Sequence, residues 1–470
     1  MDGEFTVPVR GSLPPDFGNA RDSPPDVVGC PIVSISADTE AAVPVPVRRG
    51  LGTWVRDDAA LIISGVVWVV LVVNFSVLSL RGSDSQVQYG FVKRLFGDAH
   101  SASGYYFGLG LVEAPLYALG KLLHGVGLQS VAGNPVEQAT IALGLGLLTV
   151  SAWPLLSPVF RGLSLRHGAL AVLAAGLGTP IFYYVTILPG KNHALDALLF
   201  TGVVYLVFRY FNGQPRSRWL PFAIGALFGF AYTVRYFSGA EAVMLVLLLA
   251  YWRRWRDAIA IAATSAVVCL ALFAIPHAFG VPVFSGGLYS PENVLTFAPL
   301  NPLRMLFSDH RGYFVWSPVA FLALLGYVAL MRRRPEQRRF LVAVAAMGVA
   351  VIASYALISF WDGGQWAFGQ RFYSTLFPVV AIGLAGLLDI APRRTAVAAA
   401  VAVGWTLFLY VNFVTIGGAQ YYGSTTAGAS DLALVPVRAH TSIGAYGFGL
   451  WHKSNLLRPF FAWPFGKANS

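Results

Sequence analysis

Charge is what this chain of 470 residues is short of: Asp, Glu, Lys and Arg together make up 12% of it, about half the share of an ordinary soluble domain. That scarcity argues against a water-soluble fold of this length. Cysteine is nearly absent too. Cys30 lies in a polar tail and Cys269 inside an apolar run, so neither a disulfide framework nor a thiolate metal site is available. Acids are scarcer than bases, 22 against 33. In so apolar a chain the resulting charge of +11 must sit at membrane surfaces or in a site for an anion. No nucleic-acid partner is expected. The start of the chain lacks the basic segment, apolar stretch and small-residue cleavage site of a signal peptide, so the first apolar run is expected to stay as an anchor.

What the chain has in abundance is apolar and aromatic surface. Hydrophobic residues make up 56%, with 33 Phe, 20 Tyr and 12 Trp, and mean hydropathy is +0.62. This composition predicts an all-α, polytopic transmembrane bundle. Residues 1–54, with prolines in clusters and no apolar periodicity, read as a disordered cytoplasmic tail. Residues 55–418 form the membrane module. Residues 419–470 form an extracytoplasmic tail whose aromatic end could lie on the membrane interface. Eleven spans are expected, near 59–80, 138–160, 169–188, 192–210, 219–234, 237–252, 258–276, 313–331, 340–360, 373–390 and 396–416.

Arginine sets the orientation. With the N-terminus inside and the C-terminus outside, every short inside loop is Arg-rich (Arg161 and Arg166; Arg209, Arg216 and Arg218; Arg253, Arg254 and Arg256; Arg332 to Arg339; Arg393 and Arg394), and the inside holds twenty of the thirty-three bases. The ambiguous segment is 104–123, in a first outer loop of 81–137. If it spanned, the later clusters would fall on the wrong side, so it is expected to lie on the outer surface as an amphipathic helix. Spans 219–234 and 237–252, joined by Arg235-Tyr236, are shorter than the ~20 residues a crossing needs. They read as a hairpin whose basic tip stops below the outer surface.

A charge near the bilayer centre costs at least ~2.5–3.5 kcal/mol, so outer-side charges outside the anchoring loops are candidates for function. Asp84, in Arg81-Gly-Ser-Asp84-Ser-Gln-Val-Gln88, could serve as a general base or as a helix N-cap. Glu113 could be functional or part of a solvated face. Lys191, His193 and Asp196 share one helix start, which favours an anion. His193 and Asp196 have the spacing of half a metal site, but no second pair accompanies them. Arg235, Arg311 in Ser308-Asp309-His310-Arg311-Gly312-Tyr313, and Arg371 in Trp361-Asp362-Gly-Gly-Gln-Trp366-Ala-Phe-Gly369-Gln370-Arg371 all sit at outer span ends. Each offers the donor fork that fits phosphate, against the default of interface anchoring.

The order of these elements resembles the membrane-embedded GT-C glycosyltransferases that use polyprenyl-phosphate sugars. It is similar to protein O-mannosyltransferases, lipid A aminoarabinose transferases and mycobacterial envelope glycosyltransferases over roughly residues 58–418. The resemblance implies inverting sugar transfer at the outer face of the plasma membrane, from a polyprenyl-phosphate sugar to a hydroxyl of an envelope glycan, lipid or protein. It makes Asp84 the base. Arg235, Arg371, Lys191, His193, Arg311 and His310 become the groups that hold the donor phosphate. Tyr105, Tyr106, Trp361, Asp362 and Trp366 line the sugar or lipid. Many relatives place two acids side by side where this chain has Asp84-Ser85, so Glu113 or Asp98 could supply a second carboxylate. The metal dependence stays open: a divalent ion fits the chemistry, but no ligand spacing indicates one, and no other cofactor is implied. The competing readings are a transporter or flippase of a lipid-linked sugar, disfavoured by the lack of an internal repeat, and a non-catalytic membrane protein of envelope assembly.

Overall fold

The computed structural model describes residues 51–78, 80, 83–99, 106–213, 217–283, 301–308, 311–357 and 368–416. Residues 1–50 of the N-terminal tail and the whole C-terminal tail, together with Tyr105, His310, Trp361, Asp362 and Trp366, lie outside the described residues, and α1 begins within the expected tail, at Leu51. The described chain is helical throughout, apart from a two-stranded hairpin, Ser130–Val131 with Asn134–Pro135. In order the helices are α1 (Leu51–Phe75), α2 (Ser83–Leu95), α3 (Phe107–Gly125), α4 (Val136–Leu148), α5 (Ala152–Gly162), α6 (Gly168–Leu177), α7 (Ile181–Thr186), α8 (Asn192–Asn212), α9 (Leu220–Val234), α10 (Ser238–Tyr251), α11 (Trp255–Ala278), α12 (Asn301–Phe307), α13 (Tyr313–Trp316), α14 (Pro318–Arg333), α15 (Arg338–Ala356), α16 (Phe377–Ile390) and α17 (Pro392–Ile416).

The protein is a multi-pass all-α membrane protein. Among the described residues six helical stretches are long and apolar enough to cross a bilayer: Val136–Gly162, Asn192–Asn212, Trp255–Ala278, Pro335–Ala356, Arg371–Ile390 and Pro392–Val411. Four shorter apolar helices accompany them: Ala59–Phe75, Gly168–Leu177, Leu220–Val234 and Ser238–Tyr251. Each of the eleven expected spans falls on a helix, but two are broken. The 169–188 run divides into α6 and α7 at Gly178-Thr179-Pro180, and the 313–331 run divides into α13 and α14 at Ser317-Pro318. In both cases proline removes a backbone donor and turns the residue before it away from helix. Hydropathy does not register such breaks, because the apolar run continues across them.

α9 and α10 form the expected short hairpin. At 1.5 Å per residue they are roughly 22 Å long, less than the ~30 Å hydrocarbon core. Arg235 leaves the helix in an extended conformation (φ −159, ψ 113), and the turn closes through Ser238 N–H to the Arg235 carbonyl at 3.0 Å and Gly239 N–H to Tyr236 at 3.2 Å. Small residues set its depth. A Cβ on Gly225 would lie 2.6 Å from the Ile261 carbonyl oxygen, and one on Gly229 2.5 Å from that of Ser265. The backbones of α9 and α11 therefore touch along a Gly-x-x-x-Gly face, and Ser265 donates to the Gly225 carbonyl at 2.9 Å. α14 and α16 meet the same way through Gly326 and Gly383.

Burial separates the centre from the periphery. The Arg371–Ile390 stretch is 78% buried and α8 67%, whereas α11 is 11% buried. The central helices carry the candidate residues. Gly229→Leu is expected to destabilise the protein by about 1–3 kcal/mol through overpacking, read as a lower Tm in detergent. Gly404→Ala, with open space around its Cβ position, should not lower Tm, because alanine is favoured over glycine inside a helix.

Candidate functional site

Arg235 is buried, with 2% of its side chain exposed. Its Nη1 donates to the Asp196 carboxylate at 2.8 Å and lies 3.4 Å from Thr375 Oγ1. Ser238 Oγ donates to the other carboxylate oxygen at 2.9 Å, and Thr375 also donates to Asp196. The anionic partner that the buried arginine requires is thus in the chain itself, and Asp196 is committed to it rather than to half a metal site. The guanidinium also lies over two aromatic rings, 4.6 Å from the centroid of Tyr355 and 5.5 Å from that of Phe372. Those rings stack on each other at 4.7 Å with 6° between planes. Arg235 Nη2 is buried with no hydrogen-bond partner among the described residues.

Two further cationic side chains and a histidine converge here. Arg371 begins the 3₁₀ turn Arg371–Leu376, and its guanidinium lies 5.0 Å from the Phe372 ring. The chain enters that turn through Gly369, whose φ of +54 favours glycine. Lys191 is buried and extended at the start of α8. His193, one turn before Asp196, lies 4.6 Å from Tyr184 and 6.3 Å from Phe372, ring to ring. Asn192 donates to the Val234 carbonyl at 3.0 Å, tying the α8 start to the hairpin tip. Glu241, a turn into α10, is 3% exposed and adds a second buried carboxyl near the Asp196–Arg235 pair.

The first outer loop reaches the same place. Ser85 packs on Gly190, where a Cβ would meet the Ser85 Cβ at 3.0 Å. That puts the first turn of α2, which contains Asp84, beside the segment leading to Lys191. The Asp84 side chain lies outside the described residues. Gly108 lets the start of α3 press on the end of α9, with 2.7 Å between its Cβ position and the Val234 nitrogen. Tyr106 stands 4.9 Å from Tyr236, ring to ring. Arg311 is buried just before α13, and Tyr313 meets Tyr373 at 5.3 Å, so its segment adjoins that of Arg371. Arg235, Lys191 and Arg371 each lie at the opposite end of a helical stretch from an arginine-rich loop.

The other two acids behave differently. Asp98 bonds Lys121 at 2.9 Å and Tyr117 at 2.7 Å. These hydrogen bonds hold its carboxyl below the ordinary carboxylate range. Lys121 lies fourteen residues past the α3 start, about 21 Å along the helix, so Asp98 is not brought to the cluster. Glu113 is fully buried with both oxygens unpartnered among the described residues. It faces Leu109 and Tyr117 on α3, which pack with Val92, Ile141 and Val234. Burial pushes its carboxyl up to about 8, so it is mostly neutral at pH 7, and it does not form part of a solvated face. Among the described residues no three His, Cys, Asp or Glu side chains gather as metal ligands.

Sequence reasoning missed Glu241, Ser238, Thr375, Tyr355 and Phe372. Glu241 carried a legible signal, an acid inside the apolar run Ala240 to Ala250. The hydroxyls and rings carried none, because such residues are common in membrane helices.

No known protein-family description matches this chain, and no curated protein does. Among solved structures, the chain is similar to the crystal structure of ArnT from Cupriavidus metallidurans in the apo state. The identity is 14%, the TM-score is 0.47, and the likeness covers 86% of this chain and 68% of that one.

Removing one partner of the buried pair leaves an uncompensated charge, so Asp196→Ala should cost about 3–5 kcal/mol. Adding Arg235→Met in the same chain should recover part of that loss, a coupling readable from Tm in a double-mutant cycle. Glu113 binds its proton more tightly folded than unfolded, so its contribution declines as pH rises from about 4.5 to about 8. The Tm advantage of Glu113→Gln over wild type should therefore grow across that window and shrink toward pH 4.

Proposed function

We infer that this chain is an inverting, GT-C-type glycosyltransferase that moves a sugar from a polyprenyl-phosphate donor to an acceptor hydroxyl at the outer face of the plasma membrane. The observation that carries the reading is the gathering of Lys191, His193, Arg235 and Arg371 beside the first turn of α2. A buried cluster of cationic side chains in which one guanidinium nitrogen, Arg235 Nη2, has no partner among the described residues suits an anion that arrives with the substrate.

In this reading the donor phosphate sits against Arg371, Lys191 and the open Nη2 of Arg235, with Arg311 and His310 from the neighbouring segment. The acceptor hydroxyl attacks the anomeric carbon and the carbon–oxygen bond to phosphate breaks. The electron pair leaves on polyprenyl phosphate, where fixed cations in a dry site stabilise it. Asp84 takes the acceptor proton. Asp98 is a poor second base because Lys121 and Tyr117 occupy it, and Glu113 is a poor one because it is mostly neutral and fully buried. Tyr106, with Tyr105, Trp361, Asp362 and Trp366, supplies the sugar and lipid lining. The acceptor is an envelope glycan, lipid or protein.

Transfer of radiolabelled sugar from polyprenyl phosphate in membranes tests this. Asp84→Asn should lower the rate at least about 10²-fold, and Arg235→Lys should lower it while the protein still reaches the membrane. Full transfer by Asp84→Asn would remove the base assignment. Lipid movement without transfer by the wild type would favour a flippase.

A further inference from the structure

At the end of the bundle opposite the cationic cluster, a cavity of about 430 Å³ is lined by Arg166, His167, Arg333, Arg334, Asp389 and Pro392, with apolar walls from Leu165, Leu330 and Ile390. Three separate inside segments form it: the α5–α6 loop, the end of α14, and the α16–α17 turn. Asp389 is the one acid among its lining residues, and it is already engaged. Its carboxylate accepts the Arg166 backbone N–H at 3.2 Å, and the His167 Nδ1 stands 2.7 Å away. That arrangement ties the α5–α6 loop to the end of α16. Arg334 stands 3.9 Å from the exposed Glu336, while Arg166 and Arg333 have no acidic partner among the described residues.

We propose that this cavity binds a phosphate ester, held by Arg166, Arg333 and Arg334. Arginine forks match phosphate oxygens in pairs, and the volume falls in the range of small-molecule sites. The arginine count places these loops on the cytoplasmic side, where basic pockets between transmembrane helices meet the headgroups of anionic lipids. Orientation alone needs the arginines near the span ends. It does not need three of them from two separate segments lining one concavity whose acid is spent elsewhere.

Native mass spectrometry of the full-length protein in detergent, titrated with phosphatidylglycerol, phosphatidylcholine of the same chains, or glycerol 3-phosphate, tests the proposal. Retention of phosphatidylglycerol over phosphatidylcholine is the expected result. Glycerol 3-phosphate retained as well as the lipid would support the same site with a soluble source. Arg166→Gln with Arg333→Gln should lower retention about fivefold per arginine removed, the equivalent of ~1 kcal/mol each. Arg209→Gln with Arg218→Gln, inside arginines away from the cavity, should leave it unchanged. No preference for either phosphate ester in the wild type would overturn the proposal without any variant, as would equal losses in the two double variants.

Discussion

A guanidinium held away from water at the tip of a hairpin too short to cross the membrane is the constraint that organises this end of the protein. Desolvating such a group costs several kcal/mol unless its donors are met. The chain meets Nη1 from two directions and braces the acid from a third. Asp196 comes from the first turns of α8 and Thr375 from the turn that opens the Arg371–Ile390 stretch, while Ser238, from the hairpin itself, donates to Asp196. Two stacked rings, Tyr355 and Phe372, supply a face on which the planar cation rests. The close backbone contact of α9 with α11 through Gly225 and Gly229 sets the depth at which all of this is assembled.

That assembly leaves an asymmetry with chemical consequences. One side of Arg235 is neutralised by a protein carboxylate, whereas Nη2 has no partner among the described residues, with Arg371 and Lys191 nearby. In the proposed reaction that open donor is the one that meets the phosphate. The same asymmetry gives Asp196 a positioning role: it fixes the direction in which the remaining donors of Arg235 point.

The two ends of the bundle solve related problems differently. On the outer end the bases are few, buried and set among aromatic rings. On the inner end they are many and exposed, and they turn into a cavity only where three loops meet. The acids divide in the same way. Asp98 is a tether between the end of α2 and α3, Glu113 is a mostly neutral group buried on α3, and Asp389 ties the α5–α6 loop to the end of α16. The proposed base role then falls to Asp84, whose helix turn packs beside the segment leading to α8.

Much of this was legible in the order of residues. Span positions, sidedness and the short hairpin follow from hydropathy and arginine placement, which depend on local composition and on the cost of moving charge across a bilayer. The breaks at Pro180 and Pro318 were visible as residues but not as breaks, because apolar runs continue through them. The charged members of the cluster could be named singly, since a charge at membrane depth stands out against its neighbours. What only the tertiary structure decided is which of them meet: that Arg235 belongs to Asp196, that Ser85 packs on Gly190, and that Asp98 is spent on Lys121. These pairings join residues tens to hundreds of positions apart. Only helix packing, carried by small residues and hydroxyls with no distinctive pattern of their own, brings them within bonding distance.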